Sequence, residues 1–218
     1  MLELFDDASG FVFDCDGTLL DSMRAWDEVE RWQIESIGRD LTMPELEVIR
    51  SLPMNEAGVL LHEKYGLGDS PEWVIREVDA RLQDFYATQV EPLPGVRAFV
   101  ELMVERGVPC SVVSSSPDRY LFAGFDRCGM TDLFAAIIST DAAGMSKQDP
   151  GIYHLACERM GSEVATTWGA DDSLYAVKAM RAAGLRTIGA YDGDSTGSFE
   201  ELSRHADVAI RSFEELLA

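Results

Sequence analysis

The sequence predicts an α/β protein: a parallel sheet covered by helices on both faces, with a helical segment inserted near the N-terminus. Three observations indicate this fold. A short apolar strand runs into two carboxylates and a glycine turn at residues 11–18. From Pro94 onward, helical and strand-like segments alternate with short links, which is typical of a parallel sheet. Residues 21–90 break that rhythm with helical periodicity and hardly any β-branched run.

The first strand runs out at Asp14, Cys15 and Asp16. The sheet would hold an aspartate at the carboxyl end of a strand, and period-two alternation would turn Asp14 and Asp16 to one side and Cys15 to the other. One carboxylate could then attack while the other handles a proton. The pair is therefore a candidate site for a metal and a phosphoryl group.

The Asp16-Gly17 pair is also typical of a hairpin turn, but a second alternating strand does not follow it. Residues instead recur at roughly helical spacing after the turn, at Met23, Trp26, Val29, Gln33, Ile34 and Ile37. An EF-hand loop fits poorly, because the glycine comes one residue after the second aspartate and a strand-like segment precedes it. The turn thus leads from a strand to a helix.

The helical insert is bounded by the turn after Leu20 and by the link 91–95, whose two prolines favour a stiff, extended connection. This organisation predicts an α/β core of residues 1–20 and 91–218 and a helical cap domain of residues 21–90. An insert attached to a rigid sheet by two stretches of chain is well placed to act as a lid.

The later elements repeat one unit. An apolar stripe from Val96 to Val104 predicts a helix that stops at Gly107. The further predicted elements are a strand at Cys110–Ser114, a strand at Ala135–Ser139, a helix at Tyr153–Met160 stopping at Gly161, a strand at Thr166–Ala170, a helix capped by Ser173 and ending at Gly184, and a strand at Arg186–Ala190.

Composition excludes several classes of partner. The formal net charge of -21 argues against nucleic acids and anionic membrane surfaces, which clustered Lys and Arg residues bind. The four cysteines are scattered without zinc spacing, so we expect buried thiols in a reducing compartment. The first residues lack a basic start and a long apolar run. We expect a cytoplasmic protein, a monomer or weak dimer.

Four polar clusters follow predicted strands: Asp14 with Asp16, Ser114 to Ser116, Lys147, and Asp171 with Asp172. In an open α/β sheet, ligands bind outside the carboxyl ends of the strands, so the clusters would share one edge. Lys147 is informative because the chain has only three lysines, Lys64, Lys147 and Lys178.

These residue types suit phosphoryl transfer. A carboxylate that attacks phosphorus needs the negative charge around it neutralised, which Mg²⁺ on Asp14 and Asp172 would do. The Ser114 region and the Lys147 ammonium could hold the remaining phosphate oxygens. Asp16 is then left to give and take the proton.

The same residues resemble the haloacid dehalogenase-like superfamily, in its branch with a helical cap. The resemblance rests on Asp14 to Leu19, Ser114, Ser146-Lys147 and Gly169 to Ser173, which match the family's four motifs in order. It implies a Rossmann-like parallel sheet of five or six strands. The sequence departs from the family pattern at residues 147–151, where Lys-Gln-Asp-Pro-Gly replaces the frequent Lys-Pro-x-Pro-Asp.

The resemblance also implies roles for the site residues. Asp14 is the expected nucleophile, and Asp16 the acid/base that gives its backbone carbonyl to Mg²⁺. Asp172 is an expected metal ligand, while Asp171 assists the metal or orients Lys147. The expected phosphate-binding residues are Gly17, Thr18, Ser114, Ser115 and Lys147.

The expected reaction is Mg²⁺-dependent hydrolysis of a small phosphorylated metabolite through a phosphoaspartate on Asp14. Dehalogenases of the superfamily lack the second aspartate, so Asp16 favours phosphoryl transfer. A phosphonate hydrolase would need a cap lysine, for which Lys64 is the candidate. A further alternative is a non-catalytic relative that binds phosphate compounds or a partner.

The main rival is a β-phosphoglucomutase-like sugar-phosphate mutase. Its cap usually carries a histidine, whose place Trp26 takes here, and an arginine in a specificity loop, here residues 51–56. Arg24 and Arg50 lie near enough in the sequence to keep this reading open. Trp26 and Met54 are candidates for substrate contact.

Overall fold

The structure, a computed structural model, describes residues 1–52, 54–191, 193 and 198–218. Parts of the sequence named above for the mutase alternative lie outside the described residues: Pro53 of the loop and the side chains of Arg50 and Ser51. The chain divides into two compact units, Met1–Met23 with Val90–Ala218, and Arg24–Gln89. The predicted domain division at residues 20/21 and 90/91 stays a prediction.

Within the described residues, the first unit contains a parallel sheet of six strands in the order β3-β2-β1-β4-β5-β6. The strands are β1 (Gly10–Phe13), β2 (Cys110–Ser114), β3 (Phe134–Ser139), β4 (Thr167–Asp171), β5 (Arg186–Ala190) and β6 (Val208–Ile210). The strand order reverses at β1, between β2 and β4, where an open α/β sheet forms its ligand crevice. The predicted fold class is confirmed.

Helices flank this sheet and also form the insert. Those of the insert are α1 (Met23–Ile37), α2 (Met43–Ser51), α3 (Met54–Tyr65) and α4 (Pro71–Thr88). Those that follow it are α5 (Val96–Glu105), α6 (Asp118–Arg127), α7 (Thr140–Ala143), α8 (Pro150–Met160), α9 (Leu174–Ala183), α10 (Phe199–His205) and α11 (Glu214–Leu217). Short 3₁₀ turns lie at Leu2–Phe5, Thr131–Leu133 and Val164–Thr166.

Strand β1 is buried on both faces, as expected of a central parallel strand. Phe11 and Phe13 lie on one face and stack on each other, with Phe99 of α5 edge-on to both. Val12 lies on the other face, in a cluster with Val113, Ile138, Ile152 and Tyr153. The strand that leads into Asp14 is therefore fixed by packing from two sides.

The chain leaves and re-enters the first unit at paired positions. Leu20 and Pro92 form an antiparallel bridge, the Asp21 N–H donates to the Glu91 carbonyl, and the Leu93 N–H donates to the Leu19 carbonyl, each at 2.9 Å. The two crossing points are thus held together by backbone hydrogen bonds within this unit.

Several predicted elements match the structure closely. The strands at Cys110–Ser114 and Arg186–Ala190 have the predicted bounds, and Gly107 and Gly161 adopt left-handed conformations after their helices. Ser173 is the N-cap residue of α9, as predicted, but its side chain makes no capping hydrogen bond. Its hydroxyl donates to Asp172 at 3.3 Å instead.

The four cysteines are buried free thiols, as expected. Among the described residues, we find no helix with the length and apolar character needed to cross a membrane.

Candidate active site

The first site residue, Asp14, continues the sheet by one hydrogen bond. Its N–H donates to the Ala170 carbonyl of β4 at 2.9 Å. The chain then turns, because the Cys15 carbonyl accepts the N–H groups of Leu19 and Leu20 at 2.8 and 2.9 Å. The expectation that strand alternation runs through Asp16 is wrong, since β1 ends at Phe13.

Lys147 lies in the loop between α7 and α8 and reaches the end of β1. Its Nζ is 2.7 Å from Oδ1 of Asp14 and 2.5 Å from Oδ2 of Asp171. The three residues are 4%, 4% and 0% exposed in the order Lys147, Asp14 and Asp171. A buried ammonium thus bridges two buried carboxylates, which offsets the cost of removing these charges from water.

Asp172 completes a cluster of carboxylates. Asp14, Asp171 and Asp172 each offer an oxygen, and these atoms all lie within 4.8 Å of one another. Asp171 is further oriented by the Ser173 N–H, which donates to its Oδ1 at 2.8 Å. Carboxylate oxygens grouped in this way are the hard ligands that Mg²⁺ prefers.

Burial dominates the electrostatics of the cluster. It raises the pKa of Asp14 to about 7, against the opposing effect of the Lys147 ammonium, and the neighbouring carboxylates raise it further. Burial by itself would lower the pKa of Lys147, but Asp14 and Asp171 raise it well above its usual value. Burial also raises the pKa of Cys15, so this thiol stays protonated and is a poor nucleophile.

Three hydroxyl groups donate hydrogen bonds to Asp16. Ser22 donates to its Oδ1 at 2.7 Å, while Ser116 and Ser114 donate to its Oδ2 at 2.7 and 3.3 Å. Ser114 was predicted to contact phosphate, but its hydroxyl here bonds Asp16 and accepts the Ser116 N–H at 3.0 Å. Strand β2 therefore brings its terminal serine to the second aspartate.

The other predicted phosphate-binding residues occupy varied positions. Gly17 has a φ of +78°, which a residue with a side chain rarely adopts, and its N–H donates to the Leu20 carbonyl at 3.1 Å. Thr18 is buried, and its Oγ1 has no hydrogen-bond partner among the described residues. Ser115 is exposed.

The candidate residues of the insert belong to the second unit. Trp26 is 46% exposed, and Met54 is half-buried at the start of α3. Lys64, the candidate for phosphonate chemistry, lies exposed near the end of α3, with Nζ 4.9 Å from the centre of the Tyr65 ring. That Trp26 and Met54 contact the substrate stays a prediction.

Three contacts of the site residues were not predicted from the sequence: Ser22 and Ser116 on Asp16, and Tyr153 on the Lys147 loop. Ser116 stood in the serine run after β2, so that run was the available signal. The sequence offered no comparable signal for Ser22 or Tyr153, because their contacts depend on a tight turn and on helix packing.

A parallel sheet with a carboxylate and lysine cluster at its switch point and an inserted helical unit defines a class of hydrolases. The family model of the haloacid dehalogenase-like hydrolases matches residues 8–184 of this chain. The chain therefore belongs to the haloacid dehalogenase-like hydrolase family.

Two curated relatives and one solved structure are similar to this chain over most of its length. The chain is 30% identical over 179 residues to hexitol phosphatase B of Escherichia coli, covering 81% of each chain. It is 27% identical over 177 residues to the phosphorylated carbohydrates phosphatase of Thermotoga maritima, covering 81% of this chain and 82% of the relative. A solved structure from Thermotoga maritima, assigned provisionally as a beta-phosphoglucomutase, has a TM-score of 0.83 at 25% identity and 96% coverage of both chains.

Proposed function

We propose that this chain is a Mg²⁺-dependent phosphatase that hydrolyses a small phosphorylated metabolite through a phosphoaspartate on Asp14. The observation that carries the proposal is the Lys147 ammonium 2.7 Å from Oδ1 of Asp14, beside a cluster that includes Asp171 and Asp172. An attacking carboxylate next to a fixed cation and hard oxygen ligands is what a negatively charged phosphate ester requires.

The reaction has two halves. In the first, a carboxylate oxygen of Asp14 attacks phosphorus, the ester P–O bond breaks, and protonated Asp16 gives its proton to the leaving oxygen. In the second, water attacks the same phosphorus, Asp16 takes a proton from that water, and the acyl-phosphate P–O bond breaks. Inorganic phosphate leaves, Asp14 is again a carboxylate, and Asp16 is again protonated.

The carboxylates of Asp14, Asp171 and Asp172 fit Mg²⁺, because their clustered oxygens suit a hard cation and Lys147 balances part of their charge. We propose that Asp16 adds its backbone carbonyl. Bound Mg²⁺ would offset negative charge between the phosphate and Asp14. Lys147 would hold phosphate oxygens.

We propose the same binding role for four further residues at the carboxyl ends of β1 and β2. Gly17 and Thr18 belong to the turn after β1, whereas Ser114 ends β2 and Ser115 follows it. For Ser114 this requires its hydroxyl to exchange Asp16 for a phosphate oxygen.

We propose a sugar phosphate or sugar-alcohol phosphate as the substrate class. Two relatives support this choice by their names, since one is a hexitol phosphatase and the other a phosphorylated carbohydrates phosphatase. Phosphoglycolate is a second class to test, because relatives at 26% identity carry the name phosphoglycolate phosphatase.

The test is phosphate release from p-nitrophenyl phosphate and a panel of sugar, sugar-alcohol and organic-acid phosphates. Each reaction is run with Mg²⁺ and with EDTA, beside Asp14→Asn and a matched Asp141→Asn control on α7. We expect Mg²⁺-dependent turnover in the wild type and the control. Turnover by Asp14→Asn, or turnover unchanged by EDTA, would refute the mechanism.

A mutase is the second candidate, and the TM-score of 0.83 to the Thermotoga maritima structure favours keeping it. The two reactions share the phosphoaspartate and differ in the acceptor, which is water in one and a second sugar hydroxyl in the other. Conversion of β-glucose 1-phosphate to glucose 6-phosphate faster than phosphate release would identify the mutase.

We also propose that residues 21–90 form a cap domain and that the chain is a monomer or weak dimer. Native-state hydrogen exchange tests the first point, since residues 21–90 should exchange as a cooperative unit distinct from the sheet. Light scattering across a concentration series tests the second.

A further inference from the structure

A buried tyrosine supports the loop that carries Lys147. The Tyr153 hydroxyl donates a hydrogen bond of 2.8 Å to the backbone carbonyl of Lys147. Tyr153 is fully buried in the first turn of α8, and the Lys147 loop leads directly into this helix. The phenol therefore links the loop backbone to the body of the protein.

The ring of Tyr153 is itself fixed by the sheet core. It belongs to the same packed cluster as Val12 of β1, Val113 of β2 and Ile152 of α8. Side chains in such a cluster are packed at the density of a crystal, so the ring cannot shift without moving its neighbours. A hydroxyl on this ring is a stable anchor point.

The Lys147 loop depends on hydrogen bonds for its shape. Lys147 is followed by Gln148, so the proline effect that restricts a preceding residue does not operate on it. The Gln148 N–H donates to the Ser146 hydroxyl at 3.2 Å, and the Asp149 N–H donates to the Ser146 carbonyl at 3.0 Å. These bonds are local to the loop, whereas the Tyr153 bond connects it to the core.

We propose that Tyr153 is a positioning residue that holds the Lys147 ammonium between Asp14 and Asp171. The bond fixes the carbonyl, and with it the backbone from which the lysine side chain extends to contacts of 2.7 and 2.5 Å. The expected loss of kcat rests on the proposed phosphatase function, whereas the expected displacement of the Lys147 side chain does not.

The chemistry of the phenol suits this role. Burial raises the pKa of Tyr153 far above its usual value, so the hydroxyl keeps its proton and donates at any working pH. If the Tyr153 hydroxyl were removed, the backbone carbonyl of Lys147 would lose the hydrogen bond that this hydroxyl donates.

Tyr153→Phe is the direct test because it removes one oxygen and keeps the ring. We expect kcat for p-nitrophenyl phosphate to fall about tenfold while KM changes less than about twofold, since a misplaced ammonium weakens the transition state more than substrate binding. Ile152→Val is the matched control from the same cluster and helix. We expect it to lower the melting temperature and leave kcat unchanged.

A double-mutant cycle separates positioning from general destabilisation. In the Lys147→Met background, adding Tyr153→Phe should leave the residual rate unchanged, because the hydroxyl acts through the lysine. If the two losses multiply, Tyr153 does not act through Lys147 and the proposal fails.

A readout that needs no activity is NMR of protein labelled with ¹³C at lysine Cε. The chain has three lysines, so the Lys147 signal is assigned by its loss in Lys147→Met. We expect Tyr153→Phe to shift or broaden that signal and to leave those of Lys64 and Lys178 in place. Ile152→Val should shift none of them.

The two experiments distinguish the two proposals. An inactive wild type with a Lys147 signal that responds to Tyr153→Phe would refute the phosphatase and support the positioning role. An active wild type with unchanged kcat and an unshifted Lys147 signal in Tyr153→Phe would refute the positioning role and leave the phosphatase standing. Equal kcat losses in Tyr153→Phe and Ile152→Val would also refute it.

Discussion

Asp14 and Asp16 are two residues apart, yet the contacts that surround them differ. Asp14 is buried and pairs with the ammonium of Lys147 at 2.7 Å. Asp16 is half-buried and accepts from three neutral hydroxyls. The Lys147 ammonium suits a carboxylate that must be aimed at phosphorus, whereas hydroxyl donors can stay hydrogen-bonded to a carboxyl group in either protonation state. The contrast supports separate roles for the two carboxylates.

Among substitutions that test this contrast, Asp14→Asn should have the largest effect on turnover. An amide cannot form the acyl phosphate, so we expect turnover to fall at least about a thousandfold. Phosphate release with Mg²⁺ measures this, and intact protein mass spectrometry should detect no phosphoenzyme. A variant that still accumulates phosphoenzyme would place the nucleophile elsewhere.

Asp16→Asn removes the proton carrier and leaves the nucleophile. We expect kcat to fall about a hundredfold or more. The loss in the first half-reaction should be larger for a sugar phosphate than for p-nitrophenyl phosphate, because nitrophenolate leaves without needing a proton. Burst kinetics with both substrates measure this difference, and equal losses in the burst rate would contradict the assigned role.

Lys147→Met removes the ammonium that pairs with Asp14. It leaves Asp14 and Asp171 buried without their cation, so in EDTA we expect the free energy of unfolding to fall by about 3 kcal/mol. Burial raises the pKa of Asp14 to about 7 even beside the Lys147 ammonium, which lowers it, so in the variant this pKa should lie above about 7. Protonation below that pH removes one unpaired charge, so the loss should shrink as pH falls. Urea unfolding at several pH values measures it, with exposed Lys178→Met as the control.

Mg²⁺ binding should also depend on the carboxylate cluster around Asp14. If Asp14, Asp171 and Asp172 hold Mg²⁺, saturating Mg²⁺ stabilises the folded chain by about 2.7 kcal/mol at a hundred times Kd. Asp172→Asn should reduce that gain, whereas Asp141→Asn on α7 should not. Thermal unfolding with and without Mg²⁺ tests this, and an undiminished gain in Asp172→Asn would remove Asp172 from the ligand set.

Ser116→Ala gives the smallest expected effect, on the hydroxyl side. It removes one hydroxyl donor to Asp16, and a hydrogen bond to a charged group is worth about 1.5 kcal/mol or somewhat more. We expect kcat to fall about tenfold, with a shift in its pH profile. Ser203→Ala, an exposed serine of α10, should have no effect. A pH profile identical to that of the wild type would show that Ser116 does not tune Asp16.

Much of the fold could be predicted because parallel strands are short apolar runs between periodic helices. Strand β2 and strand β5 were predicted to the residue for this reason. Strand β6, with only three residues at Val208–Ile210, is too short to show a pattern and was missed. Helix α6 was missed as well, although Pro117 before it is a turn signal.

The site was predictable in its membership more than in its contacts. Asp14, Lys147, Asp171 and Asp172 meet because each lies at or beyond the carboxyl end of a strand of one sheet, and strand ends can be read from a sequence. The hydroxyls around Asp16 could not be predicted in this way. Which serine turns toward which carboxylate depends on the turn after β1 and on side-chain rotamers, and neither leaves a periodic signal.

The paired crossing points at Leu20 and Pro92 have a consequence for how such chains diversify. Backbone hydrogen bonds outside the sheet join the two links where the insert departs and returns. A helical segment of another length or shape could therefore be spliced in at this seam without disturbing strand order. A chimera carrying a foreign insert between these two points should therefore keep the six-stranded order of the sheet.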